Sequence, residues 1–192
     1  GDGMTGKFLV PEAIRAGIVD KLERLATRPT LPGTPAAAAI AESLEYVWAC
    51  SAFAADACLR DEGLLEWLAT QGRLLEHADA AWYAQTADAV TQPGSNDDAA
   101  FMSALRIFRR RQLVRIAWRD LAGDAPIEQI LAELSWLADA CINVACRQAA
   151  ALLGARHGVP KDGHGVELPL LVLGMGKLGG GELNFSSDID LV

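Results

Sequence analysis

The feature of this sequence that most restricts its fold is a change of hydrophobic period near Glu167. Before that residue, apolar side chains recur at spacings of three and four, as one face of an amphipathic helix requires. After it, the short apolar run LPLLVL at residues 168–173 is followed by glycine and suits a buried strand better than a helix. The sequence therefore predicts a mainly α chain, with a helical region over residues 1–160 and a linker and first strands over residues 161–192.

Several helical segments are predicted before the change of period. They cover residues 11–26, 36–60, 64–75, 80–90, 99–121 and about 123–153. Thr34 is expected to cap the second segment, with Pro35 in its first turn, where the N–H that proline lacks has no helical partner. Glycines and a proline between residues 154 and 165 mark a linker.

The charge and composition of the chain argue against several classes of protein. Among 192 residues, 17 Lys and Arg stand against 25 Asp and Glu, and the net charge of −8 argues against a duplex-DNA binder with a basic surface. No apolar run approaches the ~18 residues needed to span a bilayer, and the N-terminus lacks a signal-peptide layout. We expect a soluble, cytoplasmic protein that binds neither nucleic acid nor membrane, with residues 1–4 as a vector-derived start.

Structural roles are predicted for the cysteines, histidines and tryptophans. The four cysteines lie in Ala-rich helical segments without a CxxC pair, so we expect reduced core thiols. The three histidines have no partner that sequence spacing supports and are expected at the surface. The five tryptophans have apolar helical neighbours, which favours core packing over base stacking.

The chain's basic run lies in the segment 99–121. It contains Arg106, Arg109, Arg110, Arg111, Arg115 and Arg119. These side chains suit a phosphate, a nucleotide or an acidic partner surface. Several of them lie at i, i+4 spacing and can instead pair with acids of neighbouring helices, which is the preferred interpretation.

The segment with chemical character is GMGKLGGG at residues 174–181, which contains the pattern GxGxxG. In a dinucleotide site, the third glycine of this pattern opens a helix. Here three consecutive glycines are poor helix formers, and the next strand-like segment, residues 187–192, follows too soon for a crossover helix. We therefore predict a β-hairpin. A phosphate-binding loop of the GxxxxGK[ST] type is also absent, because Leu178 follows Lys177.

Two acids lie at alternating positions in the second predicted strand, Asp188 and Asp190. Side chains at i and i+2 of a strand share one face, with Cα atoms about 6–7 Å apart. Mg²⁺ favours oxygen ligands and relieves the repulsion of such a pair, and paired metals can assist a phosphoryl displacement. The glycines let backbone N–H groups approach phosphate oxygens, and Lys177 adds a positive charge.

These residues resemble a known signature. Gly176-Lys177, ten further residues and then Asp188-Ile189-Asp190 resemble the nucleotidyltransferase pattern, with lysine where most of that superfamily has serine. The string GMGKLGGGELNFSSDIDL at residues 174–191 is similar to the motif of the bifunctional glutamine synthetase adenylyltransferase/adenylyl-removing enzymes. Upstream segments within residues 51–65, 105–121 and 134–142 extend the resemblance over most of the chain.

The resemblance implies a fold and an activity. It implies helices followed by the truncated start of a nucleotidyltransferase-fold α/β sheet, and two catalytic copies per family member. One copy removes AMP from a tyrosine of glutamine synthetase by phosphorolysis, giving ADP, whereas the other attaches AMP from ATP. The sequence NFSSDID at residues 184–190 resembles the removing copy. The implied partners are glutamine synthetase, a PII-type nitrogen signal protein, nucleotide and phosphate.

The resemblance also implies roles for particular residues. Asp188 and Asp190 are the implied catalytic residues and ligands of Mg²⁺ or Mn²⁺. The implied phosphate and nucleotide contacts are Gly176, Lys177, Gly179 and Gly180, with Ser186 and Ser187 as weaker candidates. A third carboxylate is expected beyond Val192, so the chain is expected to be a fragment that is inactive alone.

Two alternatives remain open. One is the transferase copy of the same family, which consumes ATP to load AMP. The other is a helical docking module for glutamine synthetase or a PII-type protein, in which binding survives the loss of both aspartates.

Overall fold

The structure, a computed structural model, describes residues 6–192, so the predicted vector-derived start lies outside the described residues. It is mainly helical. The helices are α1 (Glu12–Arg15), α2 (Val19–Ala26), α3 (Pro35–Cys50), α4 (Ala52–Arg60), α5 (Leu64–Thr70), α6 (Ala80–Thr91), α7 (Asp98–Leu121), α8 (Ile127–His157) and α9 (Gly176–Gly179), with a 3-10 turn at Ala16–Ile18. Within the described chain, no helix is both long and apolar enough to cross a membrane.

The chain divides into two compact units. The first consists of the residues up to His77 together with Arg111–Pro126, and the second of Ala78–Arg110 together with Ile127–Val192. Helix α7 contributes its first half to the second unit and its last part to the first unit. These units follow a different division from the predicted one, and the domain boundary at residue 160 stays a prediction.

Helix α3 begins where the sequence predicts and ends earlier. The Thr34 hydroxyl accepts a hydrogen bond from the backbone N–H of Ala37 at 3.0 Å and so caps the helix. The predicted continuous segment 36–60 is wrong, because the backbone of Ser51 is extended and its hydroxyl accepts the N–H of Ala54 at 3.1 Å. Serine that bonds to a nearby N–H in this way ends one helix and caps the next.

The core of the first unit is built by α3, α4 and α5 with the end of α7. Its most deeply buried side chains include Ile40, Val47, Trp48, Leu64 and Trp118, each exposed by 1% or less. The indole N–H of Trp118 donates to the Ser43 hydroxyl at 2.9 Å, which satisfies a polar group in this apolar environment.

Helix α5 ends at Thr70 rather than at residue 75, and buried arginines bind the irregular segment that follows it. The Arg115 side chain, 0% exposed, donates to the carbonyls of Gly72 and Glu76 at 2.7 Å each. Arg119 donates to the carbonyl of Leu74 at 2.7 Å. These bonds satisfy backbone carbonyls that no helix uses, so the irregular segment after α5 is stabilised by cations from α7.

Helices α6 and α8 form the packed pair of the second unit. The Asp79 carboxylate caps α6 by accepting the N–H of Trp82 at 2.8 Å. Between the two helices, the hydroxyl of Tyr83 donates to the Glu133 carboxylate at 2.8 Å, and both residues are 0% exposed. A buried carboxylate needs such donors because its desolvation is costly.

The predicted strands have only a small counterpart. In the part of the chain that is described, no regular strand occurs, and the expected β-hairpin is limited to one antiparallel bridge between Gly174 and Leu191. Leu173 and Val192 exchange two backbone hydrogen bonds, at 2.8 and 3.0 Å, beside this bridge. A second isolated bridge joins Lys161 and Glu167 in the predicted linker.

The structural roles predicted for single residue types are confirmed in part. All four cysteines are free thiols, but the expectation that all lie in the core is wrong: Cys58 is buried, Cys141 is half-buried and Cys50 is exposed at the end of α3. Burial raises the pKa of Cys58 to about 12 and that of Cys141 to about 11. The three histidines are exposed as predicted, while two tryptophans are buried and the other three are half-buried.

Candidate functional site

The glycine-rich loop folds as a single helical turn, α9, directly after the bridge residue Gly174. Gly176, its first residue, has a φ of +56°, a left-handed conformation that a residue with a Cβ adopts at a cost. The N–H groups at the start of a turn have no carbonyl within it to bind, which applies to Gly176 and Lys177. The exposed Lys177 side chain lies in the same turn.

The backbone at residue 179 passes so close to the carbonyl of Gly174 that only glycine fits there. A Cβ placed on Gly179 would lie 2.5 Å from the carbonyl oxygen of Gly174. The same position on Gly180 would meet the oxygens of Gly176 and Lys177 only at 3.6 and 3.8 Å, which is ordinary contact. The bridge and the loop can therefore lie this close only because residue 179 lacks a side chain.

The loop is closed by its own hydrogen bonds. The N–H of Gly179 donates to the Met175 carbonyl at 3.3 Å, and that of Gly180 donates to Gly176 at 3.1 Å. The N–H of Glu182 donates to the Lys177 carbonyl at 2.8 Å and completes the closure. The implied phosphate contacts of Gly179 and Gly180 stay a prediction, and in this structure their N–H groups are used inside the loop.

Asp188 and Asp190 lie on the segment that pairs with the start of the loop, and both are exposed. The N–H of Met175 donates to the Asp190 carbonyl at 3.0 Å, one step beyond the Gly174–Leu191 bridge. This register brings the backbone of the acidic segment and the backbone before Gly176 into direct contact. The sequence-predicted acids and the glycine loop are therefore neighbours in the structure.

A cavity lies between α8 and the paired segments around Gly174 and Leu191. This cavity of about 170 Å³ is lined on one side by Asp139, Asn143 and Cys146 of α8 and on the other by Leu170, Val172 and Leu191, among other residues. Leu191 lines this cavity together with α8, and the exposed Asp190 precedes it on the paired segment. Desolvation raises the pKa of the Asp139 carboxyl on the α8 side.

A turn built by Asn184 precedes the two acids. Its side-chain oxygen accepts hydrogen bonds from the hydroxyls of Ser186 and Ser187 at 3.1 and 2.7 Å and from the N–H of Ser186 at 3.2 Å. The Ser187 hydroxyl in turn accepts the N–H of Asn184 at 3.0 Å. The two serines proposed as weaker phosphate contacts are thus bound within this turn. Sequence analysis assigned no role to Asn184, although asparagine is a common turn residue.

The donor set suits a hard divalent cation. Mg²⁺ is commonly bound by one or two carboxylates together with water and substrate phosphate oxygens. Asp188 and Asp190 supply two such carboxylates on an exposed segment. Across residues 6–192, no group of three or more His, Cys, Asp or Glu side chains is placed to hold a metal ion.

Part of the basic run serves a structural role in the first unit. The Arg111 guanidinium forms a two-pronged ion pair with Asp61, at 2.7 and 2.8 Å. Arg115 and Arg119 bind backbone carbonyls, as described above, which spacing along one helix does not predict. Pairing with acids is therefore confirmed for Arg111, whereas Arg106 and Arg109 are exposed.

Comparison with known proteins gives a consistent result. Residues 41–192 match the family described as glutamate-ammonia ligase adenylyltransferase. The chain is 42% identical over 184 residues, 96% of its length, to a bifunctional glutamine synthetase adenylyltransferase/adenylyl-removing enzyme of Thioalkalivibrio sulfidiphilus. Proteins of the same description from Shewanella loihica and Nitrosococcus oceani are 48% and 40% identical over 52% and 79% of the chain. The matched segments span 19%, 10% and 16% of these three relatives, respectively.

Proposed function

Because the chain belongs to the glutamate-ammonia ligase adenylyltransferase family, we propose that it carries the acid motif of a site that removes AMP from adenylylated glutamine synthetase. The proposed reaction is a phosphorolysis that regulates nitrogen assimilation and gives ADP. The observation that supports it is the pairing of the Asp190 backbone with the backbone of Met175, which places the two acids beside the glycine loop.

The removing activity is proposed over the transferring activity because of the residues that precede the acids. The segment NFSSDID at residues 184–190 resembles the removing copy of the family, and the residues that distinguish it form the turn around Asn184. A protein described as bifunctional has both activities, and the chain corresponds to at most a fifth of such a relative. One acid motif in this chain is consistent with one of the two sites.

In the proposed reaction, an oxygen of inorganic phosphate forms a bond to the phosphorus of the AMP group. The bond from that phosphorus to the tyrosyl oxygen breaks, and the proton of the phosphate ends on the tyrosyl oxygen. Lys177 and the loop N–H groups would bind phosphate oxygens, and Asp188 and Asp190 would hold Mg²⁺ or Mn²⁺. When bound, the metal ion neutralises negative charge on the phosphoryl oxygens. The exposed face of the acids leaves room for a protein substrate.

The test uses the chain extended to the length of its relatives. It is mixed with adenylylated glutamine synthetase, phosphate and Mg²⁺, and ADP release is followed. We expect ADP that depends on phosphate and is lost in the Asp188→Asn/Asp190→Asn variant. The matched control is Asp20→Asn, which removes another exposed carboxylate, on α2, and is expected to keep the activity.

Two other outcomes would replace the proposal. Loading of AMP from ATP without phosphorolysis would assign the motif to the transferase copy. If neither activity is found, and both the wild type and the Asp188→Asn/Asp190→Asn variant bind glutamine synthetase or a PII-type protein, the chain would be assigned to docking. The 192-residue chain by itself is expected to show no turnover.

A further inference from the structure

The segment after α8 is anchored at few points. Among the described residues beyond His157, only Leu178 and Leu183 are buried, with 7% and 6% exposure. They lie on either side of the three consecutive glycines. The backbone N–H of Leu183 donates to the hydroxyl oxygen of Ser135 on α8, at 3.2 Å. One of the two anchors therefore combines an apolar contact with a directional hydrogen bond to a helix.

The Ser135 hydroxyl is oriented so that its oxygen can accept the N–H of Leu183. It is 4% exposed, and its own hydroxyl proton is directed to the carbonyl of Leu131, one turn earlier, at 2.9 Å. The proton is thus committed within α8, and the oxygen lone pairs remain for an incoming N–H. Without that oxygen, the buried N–H of Leu183 would lose its acceptor, which is more costly than the loss of an exposed hydrogen bond.

The bond lies at the start of the stretch that ends in the two acids. Leu183 is followed directly by Asn184, whose side chain organises the turn with Ser186 and Ser187. The chain then reaches Asp190, whose carbonyl accepts the N–H of Met175 at 3.0 Å. The turn ends at Ser187, directly before Asp188, so only this short turn separates the anchored Leu183 from the acids.

We propose that Ser135 is a positioning residue, which holds the acid-bearing segment in register with the glycine loop through the N–H of Leu183. Helix α8 supports the segment that carries the two carboxylates through this bond. The proposal rests on the proposed function for its consequence, cation binding by Asp188 and Asp190, but the hydrogen bond itself is independent of any ligand.

The experiment compares Ser135→Ala with Ser43→Ala in the chain. Ser43 is a matched control, because it is also a buried helical serine that donates to the carbonyl one turn earlier, at 2.7 Å, and accepts an N–H, that of Trp118 at 2.9 Å. Ser43 belongs to the first unit, whereas the glycine loop and the two acids belong to the second. The two measurements are amide hydrogen exchange by NMR at Leu183 and Met175, and titration with Mn²⁺ followed by electron paramagnetic resonance.

Ser135→Ala is expected to accelerate exchange about five-fold at both amides and to weaken Mn²⁺ binding by a similar factor, the effect of about one lost hydrogen bond. Ser43→Ala should change neither quantity, and Ser135→Thr, which keeps the hydroxyl, should restore both. Faster exchange at Leu183 with unchanged exchange at Met175 would overturn the proposal, since the order would then not reach the acids.

A failure of the proposed function would give a different experimental result from a failure of the Ser135 proposal. Mn²⁺ binding by the wild-type chain that is unaffected by Asp188→Asn/Asp190→Asn would refute the metal assignment, while the exchange rates of Met175 would still decide the role of Ser135.

Discussion

Replacement of Gly179 by alanine tests the close approach that shapes the glycine loop. The new Cβ would lie 2.5 Å from the Gly174 carbonyl oxygen, and contacts under 3.0 Å are essentially never seen. The backbone must therefore retreat by about 0.5 Å or more, and neither partner is a flexible side chain. Forcing extra carbon into a packed position costs about 1–3 kcal/mol, which is roughly 5- to 150-fold in a local equilibrium.

The assay is amide exchange at Glu182, whose N–H closes the loop on the Lys177 carbonyl. We expect Gly179→Ala to raise its exchange rate by roughly 5- to 150-fold, because opening of the loop becomes easier. Gly180→Ala is the matched control. Its Cβ meets only ordinary contacts, and residue 180 has right-handed helical backbone angles, so its loop should be as protected as wild type or more so. Equal protection of Glu182 in both variants would refute the reasoning.

Three further predictions concern stability and are checked by urea unfolding. Arg111→Ala should lower the free energy of unfolding by about 1–2 kcal/mol, since its partly buried pair with Asp61 is charge-assisted and two-pronged; an unchanged midpoint would contradict this. Tyr83→Phe should cost about 1–3 kcal/mol by removing a buried donor from Glu133, and a neutral effect would show that the bond contributes nothing. Burial raises the pKa of Cys58 from 9.0 to about 12, so the contribution of the buried thiol to the free energy of unfolding is complete below pH 9 and is lost as pH rises towards 12. Cys58→Ala should reduce this fall in the free energy of unfolding with pH, and an equal fall in variant and wild type would argue against the prediction.

Much of the helical fold could be predicted from the sequence, because helix signals are local. The cap at Thr34 and the start of α6 after Asp79 follow from side chains that bond to N–H groups three residues away. The early end of α5 could not be predicted. The irregular segment that follows it is stabilised by Arg115 and Arg119, more than forty residues further along the chain, and hydrophobic period carries no information about which carbonyls a distant cation will meet.

In the candidate site, too, some features could be predicted from the sequence and others could not. The spacing of Asp188 and Asp190 and the glycine-rich loop were apparent from residue types alone, and both lie within the residues that match a known family. The predicted hairpin was more extensive than the single bridge found within the described residues. Residue types alone also did not show that the two serines before the acids are bound by Asn184.

The sequence by itself determined which chemical groups this protein offers, since carboxylates, a lysine and glycines at short spacing come together through local backbone geometry. Only the tertiary structure determined which contacts fix the positions of these chemical groups. The oxygen of Ser135, 48 residues before Leu183, and the approach of Gly174 to Gly179 depend on how separate segments pack. Packing selects hydrogen-bond partners by distance in space, and a linear pattern of residue types records only distance along the chain.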